Sequence, residues 1–208
     1  MVATVENLDK QYFLTIKELY VVFMNTPENG TTDPVYDETI FKQANITELG
    51  LKPDVKSLVK YASGQQIINA YKVTTWELAF KLAYLHSKVR DKMFNKKIKN
   101  GVSYGTADVV EPNYFAIGVR APRNDGTEVA MWYPKCSIAP AEETYQTSND
   151  DMKLDDVSYT ITANPLNTNN RTYFDFDSAR EEATGVTVDK FMEKVIVSDA
   201  MITALKTS

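Results

Sequence analysis

Apolar and polar positions alternate with a period of two through much of this chain, which predicts strands. In KVTTWELAFKLAYL, Trp76, Leu78, Phe80, Leu82 and Tyr84 occupy every second position; a strand gathers all five on one face, whereas a helix would scatter them. Val157, Tyr159, Ile161 and Ala163 alternate with Ser158, Thr160 and Thr162 as a half-exposed strand. The run ELYVVFM, Glu18 to Met24, is apolar on both faces and predicts a buried strand. Two further apolar runs, Tyr114 to Ala121 and Glu128 to Ile138, flank a turn rich in Pro, Asn, Asp and Gly and predict a long antiparallel hairpin. Shorter strands are expected near Ile40 to Gln43, Val55 to Tyr61, Val102 to Tyr104 and in RTYFDFD, with Gly50, Pro53 and Gly64 as breaks.

The hairpin places Phe115, Ile117 and Val119 opposite Ala116 and Gly118 on its first arm. Its second arm sets Val129, Met131 and Tyr133 against Ala130, Trp132 and Cys136. Both faces are apolar, so both need cover. A second sheet covers one of them, and a partner molecule is the expectation for the other.

The period changes after Tyr84. Leu85, Val89 and Met93 recur every four residues, so His86 to Asn95 predicts a short amphipathic helix packed on the sheet. Lys96, Lys97 and Lys99 then fall at its C-terminus, where cations suit the dipole. Asn25 to Glu38 reads as a long irregular loop. At the C-terminus Thr187 and Ser198 are candidate helix N-caps, while Val195 to Val197 is ambiguous between helix and strand. These elements divide the chain into an arm (1–17), a β-domain (18–165) and a C-terminal strand and arm (166–208), with an acidic linker before Val157. The fold expected is mainly β: an antiparallel sandwich or barrel with one short flanking helix near 86–95.

Composition narrows the function classes. Among 208 residues, 43% are hydrophobic and 25% charged, enough apolar material for a buried core. The net charge of -5 argues against wrapping nucleic acid, which calls for a surplus of Lys and Arg on one face. MVATVENLDK lacks the basic and apolar segments of a secretory signal, no run reaches membrane-spanning length, and Cys136 is the single cysteine. Synthesis in a reducing cytoplasm is therefore expected, with no disulfide, cofactor or membrane partner.

Chemistry-bearing residues are sparse. His86, the only histidine, has no Gly-x-Ser-x-Gly elbow to serve, and Cys136 has no local activating motif. Asp150 with Asp151, Asp155 with Asp156, and Asp175 with Asp177 are carboxylate pairs. Asp175 and Asp177 share a strand face and could bind a divalent cation, although no further hard ligand stands nearby in sequence. No phosphate-loop, EF-hand or dinucleotide fingerprint is present. No enzyme activity is expected, and the function is sought in the surfaces. One alternative is a soluble β-sandwich module that binds carbohydrate or protein through Trp76, Trp132 or exposed tyrosines.

The order of elements is itself informative: an N-terminal strand and long loop, LGLKPDVKSLVKYASGQ, a long alternating strand leading to a short helix, the YFAIGVRAPRNDGTEVAMWYPKC hairpin, and the KLDDVSYTITANPL strand. Over roughly residues 45 to 165 this pattern resembles the major tail protein, the tail-tube subunit, of phages with long non-contractile tails. The resemblance implies a virion protein, made in the host bacterial cytoplasm, whose copies form hexameric rings that stack into a tube for DNA passage. Its implied partners are other copies of itself, the tape measure protein, tail-tip and terminator proteins, and DNA in transit. It also implies an acidic lumen that repels DNA, for which Glu48, Asp54, Glu77, Asp155 and Asp156 are the candidates. Candidate contacts between subunits or rings are Asn25, Pro27, Asn29, Asp33, Tyr36, Tyr114 and Trp132.

Overall fold

A computed structural model of the chain describes residues 10–140 and 156–206. Its centre is the predicted hairpin. Strand β8 (Phe115–Pro122) pairs with β9 (Glu128–Ser137) on one side and with β1 (Glu18–Thr26) on the other. The outer edge of β1 is taken by β2 (Val35–Tyr36) and β3 (Phe41–Gln43). Beyond β9 the sheet divides. Residues 129–132 of β9 pair with β11 (Phe174–Asp177), while Cys136 and Ser137 pair with β10 (Val157–Ala163). Strand β10 continues to β5 (Gln65–Leu82) and then to β4 (Ile46–Ala62), completing a nine-stranded antiparallel sheet that folds back over its own first half. The chain is thus mainly β, with few and short helices.

The fold-back makes the first core. Leu78, Phe80 and Leu82 of β5 and Ile161 of β10 pack on Leu19, Val21 and Phe23 of β1 and on Phe115, Ile117 and Val119 of β8. These are the residues that the alternation placed together, except that Tyr84 lies past the end of β5 and is exposed. Helix α1 (Ser87–Met93) closes one end, burying Val89 and Met93. His86 is its N-cap and accepts from Lys88 N–H through Nδ1, which gives the lone histidine a structural place. Of the lysines after it, Lys96 stays at the helix C-terminus as expected, its N–H donating to the Asp91 carbonyl at 2.9 Å, whereas Lys97 and Lys99 leave it. Asn100 and Gly101 both take positive φ, and they fold Lys97–Lys99 (β6) against Val102–Tyr104 (β7) as a separate small hairpin.

The expectation that the second face of the central hairpin needs a partner is wrong. That face is covered from within the chain by α2 (Val188–Met192), Leu166 and the buried run Val195–Val197, which pack on Tyr20, Val22, Ala116, Ala130, Trp132 and Phe174. Thr187 caps α2 through its side chain, and α3 (Asp199–Ala204) follows Ser198. Val195–Val197 is neither helix nor strand but a buried connection between the two helices. Trp132 anchors the layer: it is fully buried, and its Nε1–H donates to the Phe191 carbonyl at 3.0 Å. Arg120 adds an ion pair to Asp189 at 2.6 Å.

Gly118 is what lets Trp132 and Met192 lie flat on β8. A Cβ there would stand 2.7 Å from the Met192 methyl and 2.7 Å from the Trp132 ring. The methionine end can swing away, but the buried indole cannot. Gly118→Ala is therefore expected to lower unfolding free energy by about 1–3 kcal/mol, the usual cost of overpacking. Denaturant titration with circular dichroism measures it.

Two strand assignments also change. Between Phe115↔Cys136 and Ile117↔Tyr133, β9 carries one more residue than β8, a bulge at Pro134 and Lys135. The extra residue reverses the parity of the strand, so Cys136 joins the core on the Tyr133 side rather than facing with Trp132. The bulge also accommodates a proline inside a strand. Gly50 and Pro53, expected as breaks, lie instead within β4, whose outer edge has no strand partner among the described residues and tolerates proline. The short strand expected at Val55 to Tyr61 is only the far part of this 17-residue strand.

Candidate functional site

The most unusual surface arises where β4 and β5 outrun the rest of the sheet. Strand β10 pairs with β5 only from Trp76 to Leu82, so residues 54–62 and 65–75 pair with each other alone. At about 3.3 Å per residue they form a two-stranded ribbon roughly 30 Å long. Ser63 (φ 51) and Gly64 (φ 77) supply the tight turn at its tip, the positive-φ pair that suits a two-residue hairpin. All residues from Asp54 to Lys72 are exposed.

The register assigns the two faces of the ribbon. Val55 pairs with Val73, Ser57 with Tyr71, and Val59 with Asn69, and Tyr61 and Ile67 follow at the tip. This face continues the core side of β4 and β5, from Leu49 and Phe80 through Pro53 and Trp76, past the edge of the domain. It carries no charge, and it leaves Tyr71 78% and Tyr61 67% exposed. The opposite face pairs Lys56 with Lys72, Leu58 with Ala70 and Lys60 with Ile68, so three lysines surround an apolar patch.

The structure brings Glu48, Asp54 and Glu77 onto one face, the side of β4 and β5 turned away from the core. Glu48 is ion-paired with Lys81 directly across the ladder, Glu77 stands opposite Lys52, and Asp54 accepts from the Thr74 hydroxyl at 2.5 Å. Around these charges the face offers small uncharged residues: Gly50, Ala79, Thr75, Thr160 and Thr162. Asp156 accepts from the Thr47 hydroxyl at 2.5 Å, whereas Asp155, Asp150 and Asp151 lie outside the described residues.

The candidate contact residues divide. Asn25 is exposed near the end of β1, and Pro27, Asn29 and Asp33 are exposed on the loop between β1 and β2. Tyr36 is largely enclosed, its hydroxyl donating to the Pro134 carbonyl at 2.8 Å, and Tyr114 lies under the Lys135 ammonium. Trp132 must be withdrawn as a contact residue, because a fully buried side chain cannot meet another molecule. Burial equally removes it as a stacking platform for a carbohydrate, and Trp76 packs edge-on against Tyr173. The loop is itself anchored by Glu28, whose buried carboxylate takes Lys135 Nζ at 2.5 Å and Asn167 N–H at 3.1 Å on one oxygen.

The carboxylate pair on β11 is already occupied. Arg123 holds Asp177 through two hydrogen bonds, at 2.6 and 2.8 Å, and Arg180 pairs with Asp175. Burial works against the Asp177 charge, but Arg123 and the Ala179 N–H outweigh it and hold the carboxyl below its ordinary range. Among the described residues no three His, Cys, Asp or Glu side chains gather as metal ligands. Burial pushes the Cys136 thiol well above its usual pKa, so it stays protonated.

The ribbon was missed at the sequence level although a signal for it existed. The alternation of Val55, Val59 and Tyr61, mirrored by Ile67, Tyr71 and Val73 about Ser63-Gly64, marks a hairpin. Set against known proteins, the chain matches no family model and no curated protein.

Proposed function

We propose that this chain is a structural subunit of the tail tube of a long, non-contractile phage tail. In this reading copies join into hexameric rings, rings stack, and DNA passes through the channel. The observation that carries it is the β4–β5 ribbon, which extends the core face of the sheet into solvent with Val55, Val59, Tyr61, Ile67 and Tyr71 uncovered. A contiguous apolar face of this kind calls for a partner. The outer edge of β4, open among the described residues, supports the same conclusion, because a long free edge is a template for another chain unless symmetry closes it.

The channel wall in this reading is the outward face of β4, β5 and β10. It matters as much for what it lacks as for its acids. Glu48 and Glu77 are balanced across the ladder by Lys81 and Lys52, and apart from Asp54 the rest is Gly, Ala, Ser and Thr, so a passing phosphate backbone finds little to hold it. The tape measure protein, the tip and terminator proteins and transient DNA are the partners this role entails, and the virion tail is its location. No described helix is long and apolar enough to cross a membrane.

Electron microscopy of the concentrated protein, alone and with tail-initiator components, tests the proposal. Rings or tubes are expected; monomers under every condition would overturn it.

A further inference from the structure

We infer that a groove at the β1–β2 end of the sheet receives the lysine-bearing face of the ribbon from a neighbouring copy. The inference rests on the tube-subunit reading and names the receiving surface, which that reading leaves open. The groove encloses about 450 Å³ between the 34–40 segment and the residues around α3, over an apolar floor that includes Val22, Ile40, Val195 and Met201. Its rim is acid-rich. Glu38 and Glu193 are exposed there beside a single rim lysine, Lys194, and Asp37 is already held by Lys92 at 3.1 Å.

The ribbon presents the complement. Leu58 and Ile68 are diagonal neighbours on one face, within a triangle of Lys56, Lys60 and Lys72. Apolar side chains meet an apolar floor while lysines meet rim carboxylates. The opposite, uncharged face of the ribbon would instead bury Glu38 and Glu193 without a cation, which is costly. The chain's own ribbon does not fill the groove, because it is exposed from Asp54 to Lys72 and leaves from the far end of the strand order. Each copy therefore offers a ribbon and a groove on different surfaces. Such a contact runs head to tail and closes into a ring or continues as a helix.

Reciprocal charge reversal tests the assignment. Lys56→Glu/Lys60→Glu/Lys72→Glu and, separately, Glu38→Lys/Glu193→Lys are each expected to raise the concentration needed for assembly by roughly tenfold or more, as for reversed charges at a desolvated interface. All five changes together are expected to restore assembly. The five positions are exposed, so thermal unfolding of the monomers should match the unsubstituted chain. If the unsubstituted chain assembles and the groove variant assembles equally well, the groove assignment is overturned and the tube reading stands. If both sets of substitutions abolish assembly but the combination does not recover it, the lysines and acids do not face each other and the pairing is overturned. If the unsubstituted chain never assembles, both readings fail.

Discussion

Removing residues 57–71 and joining Lys56 to Lys72 through Asn-Gly should yield a monomer that folds normally and no longer assembles. Lys56 and Lys72 face each other in the ladder, so the shortened strands can still close through a two-residue turn. The deleted segment is exposed throughout and its strands pair only with each other among the described residues, and an isolated two-stranded ribbon is marginal in water, so unfolding free energy should change by less than about 1 kcal/mol. Association should change far more. The deletion removes Leu58, Val59, Tyr61, Ile67, Ile68 and Tyr71, all exposed in the monomer. Burying an aliphatic or aromatic side chain is worth about 1.5–3 kcal/mol, so burying even three of them amounts to a thousandfold or more in affinity. Sedimentation velocity at concentrations where the intact chain assembles is the measurement. Assembly of the shortened chain at the same concentrations would remove the ribbon from the interface.

Lys135→Met should destabilise the fold by about 3–5 kcal/mol at neutral pH, the cost of stranding a buried charge. Glu28 has no exposed side-chain surface, and Lys135 is the cation that faces it. Its second oxygen, Oε2, has no hydrogen-bond partner among the described residues, and the Lys135 and Asn167 bonds both fall on Oε1. Burial works to raise the pKa of Glu28, but the Lys135 ammonium and the Asn167 N–H prevail and hold it below the ordinary value. The pair's contribution is thus fully present above the unfolded-state pKa of about 4.3 and disappears as pH falls through the lower, folded-state value. In the variant, burial without the cation shifts Glu28 the other way, and acid relieves the stranded charge. The stability gap between the two proteins should therefore be widest at pH 7 and smaller at pH 4, and it closes fully only once the pH falls below the lowered folded-state value of the intact protein. Denaturant titrations at the two pH values measure it; a gap under 1 kcal/mol at pH 7 would show that Glu28 finds another partner.

The candidate site was legible in parts. Glu48, Asp54 and Glu77 could be named as acidic candidates, but their shared face could not be read, because Gly50 and Pro53 looked like breaks rather than parts of β4 and Glu77 joins the other two only through the pairing of β4 with β5. Their lysine neighbours were not legible, since Lys81 and Lys52 become neighbours only through the register of β4 against β5. Trp132 was misplaced for a related reason. An apolar residue on a strand's second face looks the same whether a partner molecule covers it or a segment of the same chain some sixty residues later does.

The sequence by itself determined most of the strands outside the β4–β5 ribbon, that β1, β8 and β9 are apolar on both faces, and where α1 and α2 begin. These depend on local spacing and capping, which the backbone reads over a few residues. Tertiary structure decided the rest. The bulge at Pro134 and Lys135 reversed the facing of Cys136, the C-terminal helices covered the hairpin that had seemed to need a neighbour, and the β4–β5 ribbon was left bare. Covering a face depends on which distant segments reach it, and in this chain those segments run out before the ribbon does.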